Sequence, residues 1–269
     1  MHTERLPQAK KSLGQNYLQD ANIARKIVRT LDIAPDDRVL EIGPGPGALT
    51  GILQDYAPAR LVLVEKDAYW AKERMLAGQG RLSVVLADAL DMPWERFSDN
   101  WKIIGNLPYN VASPLMWDIF SRASGLCRAV FMIQKEVGQR MTALPDSSAY
   151  GALSVWTQSF VRPRLEFIVP PQVFLPRPKV DSAVLSFTPL CAEKREFSAP
   201  ALSVTLKVCF QRRRKQLGTI ARAVGNSPED LRNIGIDPVL RPENLPPSAF
   251  HSLADAGIFL APLQKKARK

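Results

Sequence analysis

Short apolar runs alternate with stretches of helical spacing over the first 140 positions. "RVLEIG" (Arg38 to Gly43), "LVLVE" (Leu61 to Glu65), "LSVVLAD" (Leu82 to Asp88), "WKIIGN" (Trp101 to Asn106) and "AVFMIQ" (Ala129 to Gln134) read as five buried strands. Between them the periodicity changes. Asp20 stands where it can cap a helix whose Ile23, Ile27, Val28 and Leu31 share one face. "ALTGIL" opens a second helix, residues 68–76 form a third, Ser113-Pro114 starts a fourth as capping serine and first-turn proline, and "KEVGQRM" carries a fifth. Strands that are apolar on both faces and separated by helices pack as a parallel sheet covered on both sides. The expectation is a doubly wound α/β domain.

The pattern changes after Phe160. "LEFIVPP" and "SAVLSF" read as two strands joined by the proline-rich "PPQVFLPRPKVD", with no room for a crossover helix. They are expected to form an antiparallel pair at the sheet edge. From Ser198 onward only helices are read, broken at "GNSPED", "GIDPVL" and "RPENLPPS". The division expected is therefore an α/β domain over residues 1–197 and a small all-α domain over residues 198–269.

Composition removes whole classes of chemistry. The polar start "MHTERLPQAKK" carries no secretory core, and no apolar run is long enough for a bilayer, so a cytoplasmic protein is expected. Cys127, Cys191 and Cys209 are few and far apart, which reads as free thiols in a reducing compartment. With only His2 and His251, neither a histidine-centred metal site nor a catalytic triad is expected. The net charge is +10, and residues 200–269 carry twelve Lys/Arg against five Asp/Glu. "QRRRK" (Gln211 to Lys215) concentrates that charge; it reads either as a solvated face or as a patch for phosphates.

The candidate chemistry gathers at strand ends. "GPGPG" after the first strand lets a ligand approach the backbone, beside the free amides of the helix that follows. Gly43, Gly45 and Ala48 also spell a G-x-G-x-x-A pattern, so a dinucleotide ligand fits the spelling. Glu65 ends the second strand, 22 positions past Gly43, where an acid accepts from ribose hydroxyls. Asp88 ends the third and suits an exocyclic adenine amine or, in the plainer reading, a helix cap. The fourth strand ends in Asn106-Leu107-Pro108-Tyr109. Pro108 holds Leu107 out of helical conformation, which leaves its carbonyl pointing outward. An amide oxygen and a free carbonyl together accept both hydrogens of an aromatic amine, and a neighbouring ring stacks on the base.

At these residues the chain resembles the S-adenosylmethionine-dependent adenine-N6 methyltransferases, and as a whole it is similar to the small-subunit ribosomal RNA adenine dimethyltransferases. "KKSLGQNYL", "EIGPGPGALT", "NLPYN", "QKEVGQR", "PRPKVDSAVLSF" and "FQRRRKQL" follow in the family's order. Tyr17, where the family usually has Phe, and Leu86-Ala87 before Asp88 depart from its pattern. The resemblance implies a Rossmann-like fold and S-adenosylmethionine as methyl donor, with no metal. In it Asn16 and Leu18 border the cofactor, Gly43, Gly45 and Gly47 pass under its methionine portion, Glu65 binds the ribose, and Asp88 binds the adenine amine. Asn106 faces cofactor and target, the Leu107 carbonyl and Pro108 complete the turn, and Tyr109 stacks on the target base. The implied product is N6-dimethyladenosine, on two adjacent adenosines of a hairpin near the 3′ end of 16S RNA, made by a monomer on a ribosomal particle.

Erythromycin-resistance methylases of large-subunit RNA are close relatives and form the second reading. A nicotinamide dehydrogenase would share the glycine loop but leave Asn106 to Tyr109 and the basic C-terminal region without a use. A non-catalytic assembly factor would have no need of an intact Asn106 and Tyr109. For Arg212, Arg213, Arg214 and Lys215, a continuous helix beginning near Ala201 is expected, with Leu202, Leu206, Phe210 and Leu217 on its buried side. Four successive positions on one helix turn through about 300°. At most two of the four would then reach RNA, and at least one would pair with protein.

Overall fold

The computed structural model describes residues 10, 13–78, 81–191 and 195–260. Its elements are β1 (Tyr17–Leu18), α1 (Ala21–Leu31), β2 (Arg38–Ile42), α2 (Thr50–Asp55), β3 (Arg60–Glu65), α3 (Ala68–Ala77), β4 (Leu82–Leu86), β5 (Trp101–Asn106), α4 (Ala112–Arg122), β6 (Leu126–Gln134) and α5 (Lys135–Thr142). There follow α6 (Ala152–Phe160), β7 (Val161–Val169), β8 (Phe174–Leu175), β9 (Ser182–Pro189), α7 (Ala199–Gln211), α8 (Leu217–Ala223), α9 (Pro228–Arg232) and α10 (Pro247–Asp255).

Seven strands form one sheet in the order β4-β3-β2-β5-β6-β9-β7. The five expected strands run parallel, with Glu41 opposite Leu63 on one side and Ile104 on the other. β9 runs antiparallel to β6, and β7 lies beside β9 at the edge, where its Pro163 is tolerated. The strand order reverses between β2 and β5, so a crevice opens beyond their carboxyl ends. A second, two-stranded sheet pairs β1 with β8, Tyr17 opposite Leu175.

Each element has a local cause. Asp20 caps α1 by accepting from the Asn22 and Ile23 amides, and Ala24, Ile27, Val28 and Leu31 are buried. That face joins Val39, Leu61, Leu63, Ile104 and Val130 in the core of the sheet. α4 begins at Ala112, not at a Ser113 cap: the Pro108 carbonyl accepts from both Val111 and Ala112, and the turn after β5 runs directly into the helix.

The chain divides into two compact units, one drawn from Met1–Gly138 and Pro163–Pro189, the other from Gln139–Arg162 and Leu190–Lys269. The packing boundary thus differs from the one expected at residue 197, because 139–162 goes with the C-terminal helices. Within that second unit α6 packs on α7 and α10, and the Tyr150 hydroxyl donates to the Leu245 carbonyl at 2.7 Å.

The basic run departs from its expected helix. α7 stops at Gln211; Arg212 is its C-cap with φ −120° and ψ 34°, and the next helix starts only at Leu217. Leu217 is buried as expected, but from α8. Arg213 turns inward to the Glu243 carboxylate instead of continuing the helix.

Candidate functional site

The glycine loop leaves β2 with Gly43, Gly45 and Gly47 all at positive φ (65°, 48° and 90°), which side chains rarely tolerate. A Cβ on Gly43 would meet nothing within 4 Å, so this backbone faces open space. A Cβ on Gly45 would lie 3.6 Å from the Tyr17 ring. Gly47 differs: a Cβ there would fall 2.1 Å from Arg74 Nη1, so its bareness seats an arginine. Gly43 and Gly45 line a cleft of the first unit, together with Asn16, Leu18, Glu65, Asp88 and Asn106 to Tyr109. Gly47 does not line it. The strand-end residues read from the sequence thus meet in one cleft, apart from that glycine.

Glu65 is buried, not a solvated strand end. Its Oε2 accepts from the Gly45 amide at 3.0 Å and its Oε1 from the Asp67 amide at 2.8 Å. Burial raises its pKa, and those two amides oppose the rise. The carboxylate therefore braces the glycine loop as well as facing the cleft. Asp88 accepts from Lys66 Nζ at 2.6 Å and from the Leu90 amide at 3.0 Å, so it is the cap that the plainer reading expected. The lysine beside it holds its carboxyl below the ordinary range.

Asn106 is half-buried at the end of β5, and its Nδ2 donates to the Asn16 carbonyl at 3.0 Å. A carbonyl can only accept, so this contact fixes which way the amide faces. Its oxygen is left free, and no described residue donates to it. The Leu107 amide donates to Met132, and no described residue donates to the Leu107 carbonyl. Two unused acceptors therefore sit in sequence on the cleft wall. The Tyr109 hydroxyl lies 2.7 Å from Ser182 Oγ, which anchors the ring. Burial raises the Tyr109 pKa, so the ring is a neutral surface at physiological pH.

The N-terminal segment is held over the cleft by side chains. Lys10 Nζ and Gln15 Nε2 donate to the two oxygens of Asp67, at 2.8 and 3.1 Å. The Tyr17 hydroxyl donates to Gln15 at 2.6 Å and accepts from Trp70 Nε1 at 2.9 Å. Lys11 and Ser12 of the "KKSLGQNYL" block lie outside the described residues.

Glu41 went unread in the sequence. It is 1% exposed, lines the cleft floor and accepts from Thr50 Oγ1 at 2.7 Å. Burial pushes its pKa from an ordinary 4.5 up to about 7. The available signal was a lone acid inside the apolar run "RVLEI".

In the second unit, Arg213 Nε donates to Glu243 at 2.6 Å and Nη2 to the Ser148 carbonyl at 2.9 Å. One of the four cations pairs with protein, as expected. Arg212, Arg214 and Lys215 are exposed. Among the described residues no group of three metal-ligating side chains forms, and no helix is long and apolar enough to cross a membrane.

Known proteins bear on this cleft. The family described as ribosomal RNA adenine dimethylase matches residues 7–256. The chain is 57% identical to the ribosomal RNA small subunit methyltransferase A of Nitratidesulfovibrio vulgaris over 257 residues, 93% of this chain and 97% of that one. With the protein of that name from Oleidesulfovibrio alaskensis the identity is 58%, over 94% and 92%. Among solved structures, a dimethyladenosine transferase from Plasmodium falciparum superposes with a TM-score of 0.76 at 25% identity, covering 93% of this chain and 98% of that one. The 23S rRNA methyltransferase ErmE superposes with a TM-score of 0.65 at 25% identity, over 89% and 98%.

Proposed function

This chain belongs to the ribosomal RNA adenine dimethylase family, and we propose that it dimethylates the N6 amines of two adjacent adenosines in a hairpin near the 3′ end of small-subunit ribosomal RNA. It acts as a monomer on a ribosomal particle in the cytoplasm, with S-adenosylmethionine as donor. The single observation that carries the reading is the pair of unused acceptors at Asn106, whose amide the Asn16 carbonyl orients, and Leu107.

The cleft suits the donor. Gly43 offers bare backbone, Glu65 and Asp88 offer carboxylates, and Asn16 and Leu18 border the space. When bound, S-adenosylmethionine supplies a methyl group already activated on a sulfonium. The chain's own task is to prepare the nitrogen. An adenine N6 lone pair is delocalised into the ring and is a poor nucleophile. Accepting its two N–H groups at Asn106 Oδ1 and the Leu107 carbonyl favours a pyramidal nitrogen with a localised lone pair. Tyr109 stacks on the base, its ring held by Ser182, and so limits the approach direction. Holding reactants in line is worth up to about 7–11 kcal/mol. The proton that leaves needs no histidine, because the amine becomes strongly acidic once alkylated. Because α7 ends at Gln211, the helical limit of two no longer applies: Arg212, Arg214 and Lys215 bind phosphates, while Arg213 supports the loop that presents them.

The test is to incubate the protein with labelled S-adenosylmethionine and, in parallel, small-subunit particles or large-subunit RNA, then map the modified base. N6-dimethyladenosine in small-subunit RNA is expected. Label confined to large-subunit RNA would support the resistance-methylase reading instead, and no label on either would refute methyl transfer.

A further inference from the structure

Of the motif "PRPKVDS" only Ser182 has a part in the site so far, and both ends of the segment are fastened to residues that line the cleft. On one side, Leu175 of β8 pairs with Tyr17, whose ring packs on Gly45. On the other, Ser182 is hydrogen-bonded to the Tyr109 hydroxyl. Lys135 secures that second end twice: its amide donates to the Asp181 carbonyl at 3.0 Å, and its ammonium pairs with the Asp181 carboxylate at 3.1 Å. Between the anchors run Pro176 to Asp181. Two prolines in six residues stiffen the connection.

Arg177 and Lys179 are exposed on this loop, and no described residue accepts a hydrogen bond or ion pair from either. Asp181, the loop's one acid, is neutralised by Lys135. The loop thus carries net positive charge between its two anchors. Arg177 stands two residues from Leu175 and Lys179 three from Ser182, so each Cα lies within about 7 and 11 Å of its anchor.

We propose that Arg177 and Lys179 hold the RNA phosphates flanking the target adenosine, a second phosphate site within the α/β unit and separate from the basic run after α7. The inference rests on the RNA reading above. A base that enters the cleft beside Tyr109 leaves its stack, and its two flanking phosphates stay at the rim. Cations on a stiff loop tied to the stacking tyrosine meet them with little ordering cost. The occupant is an RNA backbone, because the loop carries unpaired positive charge and is tied through Ser182 to the tyrosine that stacks on the base.

The experiment compares the full-length wild type with Arg177→Ala, Lys179→Ala and the double variant, on small-subunit ribosomal particles. Initial rates give KM for RNA across a salt series, and calorimetry gives S-adenosylmethionine affinity. The double variant should raise KM for RNA roughly tenfold. It should flatten the salt dependence by about 0.7 for each lost single-strand phosphate contact. Cofactor affinity should stay unchanged, and Arg177→Lys should restore most of the loss. An active wild type with KM and salt slope unaltered in the double variant would overturn this site alone. A parallel loss of cofactor affinity would also overturn it, by showing that the loop only props the cleft. A wild type inactive on every RNA would overturn the functional reading itself.

Discussion

Replacing Glu41 with glutamine should make the protein more stable above neutral pH, although it removes a hydrogen-bonded carboxylate from the cleft floor. Glu41 is 1% exposed, and its pKa is pushed from 4.5 to about 7 chiefly by burial, against the help of Thr50 and Arg74. A carboxyl raised in this way binds a proton in the folded state that the unfolded chain has released. Folding stability is then fully present below about pH 4.5 and falls as pH rises through about 7. Each pH unit between those values is worth about 1.4 kcal/mol, so the loss by pH 8 is roughly 3 kcal/mol. Glutamine has nearly the same volume, keeps an oxygen for the Thr50 hydroxyl and carries no charge to desolvate. Glu41→Gln should match the wild type within about 1 kcal/mol at pH 5 and exceed it by up to about 3 kcal/mol at pH 8. Urea unfolding at pH 5, 6, 7 and 8 tests this, followed by tryptophan fluorescence; Trp70, Trp94, Trp101 and Trp117 all lie in the α/β unit. Glu65, also raised by burial, should leave a residual slope in the variant. Parallel pH profiles for the two proteins would show that Glu41 is ionised at no cost, and the argument from burial would fail.

Three other outcomes follow from the site. Glu65→Gln replaces one of two acceptors by a donor facing the Gly45 or Asp67 amide, so S-adenosylmethionine affinity should fall tenfold or more and stability by roughly 1–3 kcal/mol; calorimetry and denaturant titration measure both, and affinity within twofold of wild type would remove the carboxylate from the cofactor site. Asn106→Ala should abolish methyl transfer with RNA affinity kept, whereas Tyr109→Ala should cost about 1–3 kcal/mol, the value of one base–aromatic stack; near-normal turnover of the first variant would refute the amine-accepting role. Arg213→Ala leaves Glu243 and the Ser148 carbonyl without their donor and should cost roughly 1–3 kcal/mol of stability, while Arg212→Ala and Arg214→Ala should weaken RNA binding with unfolding unchanged; equal loss of stability at all three would contradict the inward turn of Arg213 alone.

The five parallel strands, the α1 cap at Asp20 and the strand-end residues Gly43, Gly45, Glu65, Asp88 and Asn106 to Tyr109 were legible in the chain because each is written locally, whereas Asn16 and Leu18 came only from the family resemblance. Apolar runs, a capping acid, and glycines or Asn-Leu-Pro-Tyr at strand ends all act within a few residues. α6 was not legible. Its Leu153 to Phe160 are buried nearly all round, so no polar face marks the helical period, and its residues are largely those that also favour strands. The same limit hid the true use of single groups. Nothing local says that Gly47 seats Arg74, that Glu65 braces the Gly45 amide, or that Glu41 lies under the cleft with a raised pKa. Nor does it say that the Asn16 carbonyl, 90 residues away, decides which way the Asn106 amide faces. The basic run shows the division within four residues. Its charge was plain in the sequence, but the partner that turns Arg213 inward is Glu243, 30 positions on. Local periodicity and turn chemistry determine which elements form and where ligands approach. Burial, charge state and donor direction depend on atoms brought together from distant parts of the chain, and only the tertiary structure decides them.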